Sequence, residues 1–314
     1  SLVSELQAAI EDQRSIINIV PGEGDVMGVW VFKGNVYAFR NKSGGATAGM
    51  YKSTATGWSE IDLGTALNFD GTVENGEPIP GDTGTPTTIV GASSGAQGDL
   101  AAITYYGDWD FGAAGAMVLT NITGTFTDNE NLQMPLLAFT SGSIEMTEGD
   151  TIVGASSGKT ATVTSVVITS GTIDDGDAAG YISVKNNSGT WTASEAININ
   201  GVDHATVNGS SQPANVAVAV ADGTQYAQTI NPGGTYEFTN YNFRGQTTGF
   251  TMYGVNTVDN GFSFDGTTFI KYKTGMVTDT PEHISAHQSF LFFSYPNGSI
   301  QHSSQVTPNV WNAV

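Results

Sequence analysis

Two serines, Ser93 and Ser156, stand at the centre of G-x-S-x-G within an octet, TIVGASSG, that occurs at residues 88–95 and again at 151–158. In α/β-hydrolases that pattern holds a nucleophilic serine on a sharp turn between a strand and a helix, and the helix N-terminus helps bind the oxyanion. The residues that follow here are wrong for a helix. Gly158 leads into KTATVTSVVI and Gly95 leads to DLAAITYYG, both strand-like. A Ser-Gly pair between two strands fits the tip of a β-turn, where Gly supplies a positive φ. Ser93 and Ser156 are therefore expected to be turn residues. No catalytic or cofactor-binding residue is assigned, and the chain is not expected to be an enzyme.

Other groups able to do chemistry are few. Asp174, Asp175 and Asp177 in IDDGDAAG, and Asp108 and Asp110 in GDWDFG, are carboxylates on turns that could offer oxygen ligands to calcium. Neither stretch matches an EF-hand loop, so solvated turn carboxylates are the plainer expectation, and no metal or cofactor is assigned. His283 and His287 are spaced i, i+4, but the segment lacks the Glu of H-E-x-x-H and runs into a strand, where that spacing does not converge on a metal. Paired carboxylates also raise glycoside hydrolysis, though blade cores account for the aromatics nearby. Tyr105, Tyr106 and Trp109, if exposed, would form a stacking surface for sugars. No Gly-rich loop leads into a helix, so phosphate binding has no support.

The elements that would position these residues are short strands. The chain has 314 residues, 40 of them Gly, and only 13% charged residues. A helical protein needs more Glu, Lys, Arg and Leu on its faces. The net charge of −20 with ten basic residues argues against a nucleic-acid-gripping surface. No cysteine is present, so disulfides and thiolate metal sites are excluded. No apolar run is long enough to span a bilayer, and no secretory leader is read at Ser1. The opening residues 1–20 are the one helical candidate. Leu2, Leu6, Ile10 and Ile16 form an apolar stripe that Pro21 and Gly22 end. Such a stripe would pack on a neighbouring subunit or on its own domain.

Between Asp70 and Asp203 the only basic residues are Lys159 and Lys185. This shift in composition sets boundaries near 68 and 210. Within them the repeat extends past the octet. The first part matches at an offset of 63 residues, and Gly115, Gly124, Phe126 and Glu130 match Gly180, Gly189, Trp191 and Glu195 at an offset of 65. Two tandem β modules, 69–136 and 137–210, are expected as an insertion. The flanks, 21–68 and 211–314, carry a different repeat. A strand ending in Phe meets a two-residue turn, Lys33 with Gly34 or Asp265 with Gly266, and an aromatic strand leaves it. A later strand leads through a polar loop to Trp58 or Trp311. Three or four short strands closed by an aromatic read as propeller-like blades, so the fold class is all-β: partial blades flanking the insertion, with a short N-terminal helix.

GVWVFKGNVYAFRN, GFSFDGTTFIKYKTG and LFFSYPNGSIQHSS resemble blade strands of the tail-nozzle (tail tubular) proteins of short-tailed bacteriophages, over roughly 16–68 and 211–314. The module at 69–210 resembles an insertion common in phage virion proteins. The resemblance implies a structural protein of the virion tail, assembled as a homo-oligomeric ring of six copies with other tail proteins, through which DNA passes without specific binding and with no membrane insertion. Nozzle proteins are longer, so it also implies a fragment or shortened relative. A carbohydrate- or receptor-binding β module of a tail fibre or adhesin is the alternative.

Overall fold

The computed structural model describes residues 2–15, 18–80, 87–243 and 249–312. Among the described residues the chain is all-β apart from one helix, α1 (Leu2–Ser15). It divides into two compact units, Ser1–Gly64 with Ala227–Val314, and Thr65–Tyr226. The helix forms where its apolar spacing predicts. Its stripe faces outward, with Leu2, Leu6 and Ile10 all exposed, and Ile16 lies outside the described residues.

The flanking unit opens with β1 (Glu23–Phe32), β2 (Asn35–Asn41), β3 (Ala48–Ser53) and β4 (Trp58–Glu60), a four-stranded antiparallel meander. Lys33 and Gly34 make the two-residue turn expected of them, both with positive φ (46° and 73°), the requirement of a type I′ hairpin.

The inserted unit contains β5 (Thr65–Asp70), β6 (Thr88–Gly91), β7 (Gln97–Tyr106), β8 (Ala114–Thr123), β9 (Asn131–Gly142), β10 (Thr151–Gly154), β11 (Thr160–Ser170), β12 (Ala178–Lys185), β13 (Ala196–Ile199), β14 (Val202–Val207) and β15 (Ala214–Ala221). A two-residue β16 (Tyr226–Ala227) stands at its end. The duplication reaches individual residue pairs. Val90 pairs with Gln97 and Gln133, and Val153 pairs with Thr160 and Asn198, which is the same register displaced by the sequence offsets. Even a register shift recurs, between Leu100 and Ala102 on β7 and between Val163 and Ser165 on β11. Buried side chains correspond too: Ile89 with Ile152, Met117 with Ile182, Phe126 with Trp191, and Leu132 with Ile197.

The two modules are nested, not tandem. β9 is shared: its first residues pair with β6, and its later ones pair with β12 and β14. Module 2 is closed by β14, where Val207 lies opposite Phe139. Module 1 is closed by β15, where Ala221 lies opposite Phe69. The strand that completes the first module thus arrives after the whole of the second. That is why the compact unit runs to Tyr226 and not to a boundary near 210.

The flanking unit resumes with β17 (Glu237–Tyr241), β18 (Thr251–Val255), β19 (Phe262–Phe264) and β20 (Phe269–Lys271), then β21 (His283–His287), β22 (Phe290–Ser294), β23 (Ile300–Ser304) and β24 (Thr307–Trp311). Each set of four is an antiparallel meander. With the first sheet this makes three such meanders among the described residues, fewer than the four or more blades of a closed propeller. The Asp265 turn differs from expectation. The loop between β19 and β20 spans residues 265–268, because the Asp265 carboxylate accepts the N–H groups of Thr267 and Thr268 (both 2.7 Å) and widens the turn. Phe32, Tyr37, Phe39, Phe262, Phe264 and Phe269 share one buried aromatic cluster.

Candidate functional site

The serines of the two G-x-S-x-G motifs sit in one arrangement, present twice. In module 1 the turn after β6 is held by Glu130, which is 5% exposed. Its Oε2 accepts the backbone N–H groups of Ser93 (3.0 Å) and Ser94 (2.9 Å), and its Oε1 accepts the Ser94 hydroxyl (2.8 Å) and the Thr127 N–H (2.7 Å). In module 2 Glu195 does the same for Ser156 N–H (2.9 Å), Ser157 N–H (2.7 Å), the Ser157 hydroxyl (2.8 Å) and Thr192 N–H (2.6 Å). The first glycine of each motif makes room for the carboxylate. A Cβ on Gly91 would lie 2.5 Å from Glu130 Oε1, and one on Gly154 would lie 2.7 Å from both Glu195 oxygens. The last glycines, Gly95 and Gly158, have φ of 67° and 64°.

The same bonds set the chemistry. Burial alone would raise the Glu130 pKa. The N–H groups of Thr127 and Ser94 and the hydroxyls of Ser94 and Ser93 outweigh it and hold the carboxyl at about 2. Glu195 is lowered against burial by the same kinds of donor, from Ser157, Thr192 and Ser156. A carboxylate this acidic is a poor general base at neutral pH. The Ser93 hydroxyl donates to it (3.0 Å) and lies 3.3 Å from the Thr127 hydroxyl, and both turns lead into strands, β7 and β11, with no helix to support an oxyanion. The geometry is that of a locked turn, not of a nucleophile elbow. Sequence reasoning aligned Glu130 with Glu195 but missed their role. It also weighed Ser93 and Ser156 when the neighbouring Ser94 and Ser157 carry the hydroxyl bonds common to both copies.

The remaining candidates do not assemble. Tyr105 and Trp109 are buried, which removes them as a sugar-stacking surface; Tyr106 is half-buried. Trp109 packs against Phe69 (ring centroids 5.6 Å apart) and Tyr105 (5.3 Å), so the tryptophan of GDWDFG completes a core, while Phe111 of the same stretch is exposed. Asp175 and Asp177 accept from the Thr172 hydroxyl (2.9 Å) and the Thr172 N–H (2.8 Å), while Asp108 accepts the Asp110 N–H (3.1 Å). Asp174 and Asp110 lie on the same two turns. Among the described residues no three His, Asp or Glu side chains gather where a metal ion could bind. His283 and His287 occupy the two ends of β21, and His283 meets Glu237 at 2.7 Å. A pocket of about 100 Å³ beside Lys42, Glu60 and Asp62 is smaller than the roughly 300–1,000 Å³ of sites for drug-sized ligands. Among the described residues no helix is long and apolar enough to cross a membrane.

No known family, curated protein or solved structure matches this chain.

Proposed function

We propose that the chain is a structural virion protein of a bacteriophage tail, a subunit of a nozzle- or tube-like ring through which the genome passes. The observation that carries this reading is how the polar chemistry is deployed. The two buried carboxylates and their serines lock turns, and several basic side chains bind within their own unit. Lys42 pairs with Glu60 (2.5 Å) and Lys271 with Asp259 (2.5 Å), while Arg40 donates to the Val20 carbonyl (2.5 Å) and the Gly24 carbonyl (2.9 Å). That is the economy of a scaffold. The net charge of −20 suits a wall that lets a polyanion slide. A ring of six copies, contacts to other tail proteins and a virion location belong to the same proposal. The outward stripe of α1 supplies apolar surface of the kind subunit contacts use. The sugar-binding alternative loses Tyr105 and Trp109 to the core.

Native mass measurement with particle imaging tests the proposal. Closed rings are expected, and a chain that stays monomeric up to high concentration would count against it. Serine-directed fluorophosphonate probes should leave the protein unlabelled.

A further inference from the structure

The loop between β18 and β19 gathers a nucleophile, an electrophile and a proton carrier around one buried carboxylate. Asp259 is 4% exposed and Asn256 is fully buried. Lys271 Nζ, at the end of β20, donates to Asp259 Oδ1 at 2.5 Å, and Asn256 Nδ2 donates to Asp259 Oδ2 at 3.1 Å. The two oxygens of one carboxylate therefore hold an amine and a carboxamide side by side. Asn256 Oδ1 accepts the backbone N–H groups of Asp259 (2.8 Å) and Val258 (3.3 Å), so its carbonyl is already polarised. Asn231 N–H fixes Asp259 Oδ2 at 2.8 Å, and the Tyr236 hydroxyl accepts the second Asn256 Nδ2 hydrogen at 3.3 Å.

An ion pair would need only the lysine and the aspartate. The polarised amide on the other carboxylate oxygen, shielded from water, adds the remaining parts of acyl transfer: a positioned acceptor, a general acid–base and two oxyanion donors. We propose that Lys271, Asp259 and Asn256 are a self-cross-linking site that forms an isopeptide bond between the Lys271 and Asn256 side chains.

The step balances without any outside reagent. Asp259 takes a proton from the Lys271 ammonium, and the free amine attacks Asn256 Cγ, forming the new C–N bond. The negative charge that develops on Oδ1 rests on the N–H groups of Val258 and Asp259. Asp259 returns its proton to Nδ2, the Cγ–Nδ2 bond breaks, and ammonia leaves. It carries off the second amine proton as ammonium, leaving a neutral amide and the Asp259 carboxylate. The bond would join the residue after β18 to the last residue of β20, covalently tying those two strands across β19. Holding both groups on one buried carboxylate supplies the proximity that an intramolecular acyl transfer needs.

The test is the intact mass of the full-length purified chain, taken fresh and after prolonged warm incubation, followed by tryptic mapping. The mass should fall short of the sequence mass by one ammonia, and residues 245–273 should appear as one tryptic peptide, uncut after Lys271 and closed into a loop between 256 and 271 that yields no backbone fragments from within it. The variant Lys271→Arg, which keeps the ion pair but cannot form this bond, should show the full mass and normal cleavage after position 271. An Asn-Gly step elsewhere that cyclises also loses ammonia, so the same deficit in Lys271→Arg, or a deficit without the looped peptide, would overturn the proposal. So would a wild-type chain that keeps its full mass after incubation. Asp259→Ala should leave any folded fraction uncross-linked; a looped peptide in that variant would equally refute the role given to Asp259.

Discussion

At the scale of single residues, Glu130 and Glu195 matter more than the serines that draw the eye in G-x-S-x-G. Each satisfies several backbone and hydroxyl donors, and losing one leaves those donors unpaired within the fold, costing about 1–3 kcal/mol per buried group. The sign of the pH dependence follows from the Glu130 pKa, which falls from its ordinary 4.5 to about 2 on folding. The folded state binds this proton less readily than the unfolded chain. Its contribution is therefore complete above the unfolded value and is lost as pH falls from about 4.5 through about 2. Glu130→Gln should destabilise the inserted unit by about 3 kcal/mol at neutral pH in chemical denaturation. That gap should close towards pH 2. A gap independent of pH would mean that the carboxylate charge is not what locks the turn. Ser157→Ala should cost about 1 kcal/mol, while the exposed Ser156→Ala should stay within about 0.5 kcal/mol.

At the scale of elements, nesting makes the two modules unequal. Trp191 is buried in the core of module 2, where its indole N–H reaches Asn187 Oδ1 at 2.9 Å. Trp191→Ala should cost about 3–5 kcal/mol, measured as a lowered unfolding midpoint. Val218 is fully buried on β15, far from the octet of module 1 in sequence but part of the strand that closes that module. Val218→Asp buries an unpaired charge. In hydrogen exchange it should strip protection from β6, β7 and the first residues of β9, as well as from β15. Protection lost only in β15 would show that module 1 stands without it. The shared β9 gives the reason for the expected spread, since one strand carries ladders from both modules.

At the scale of the whole molecule, the deciding property is charge. Ten basic residues stand against thirty acidic ones, and Lys33 donates to the Asp265 carbonyl (2.6 Å) just as Arg40, Lys42 and Lys271 bind inside the flanking unit. A surface that grips DNA gains affinity as salt falls, because each neutralised phosphate releases counterions. The assembled protein should show no DNA binding near physiological salt, and lowering the salt should not produce any. Tight, salt-sensitive binding would refute the passive wall proposed for this chain.

The sequence alone determined what depends on near neighbours. Alternation and β-branched residues after Gly95 and Gly158 excluded the elbow's helix, the Lys33 turn was legible from its Gly, and the offsets of 63 and 65 identified the duplication and the pairing of Phe126 with Trp191. Periodicity and turn chemistry are local, so they can be read along the chain. Only the tertiary structure decided which distant group each turn meets. Glu130 lies 37 residues from Ser93, Phe69 reaches across 40 positions to cover Trp109, and β15 passes the whole of module 2 to complete module 1. Strand pairing sets those meetings, and a carboxylate or an indole looks the same in sequence whether the sheet buries it or leaves it in water.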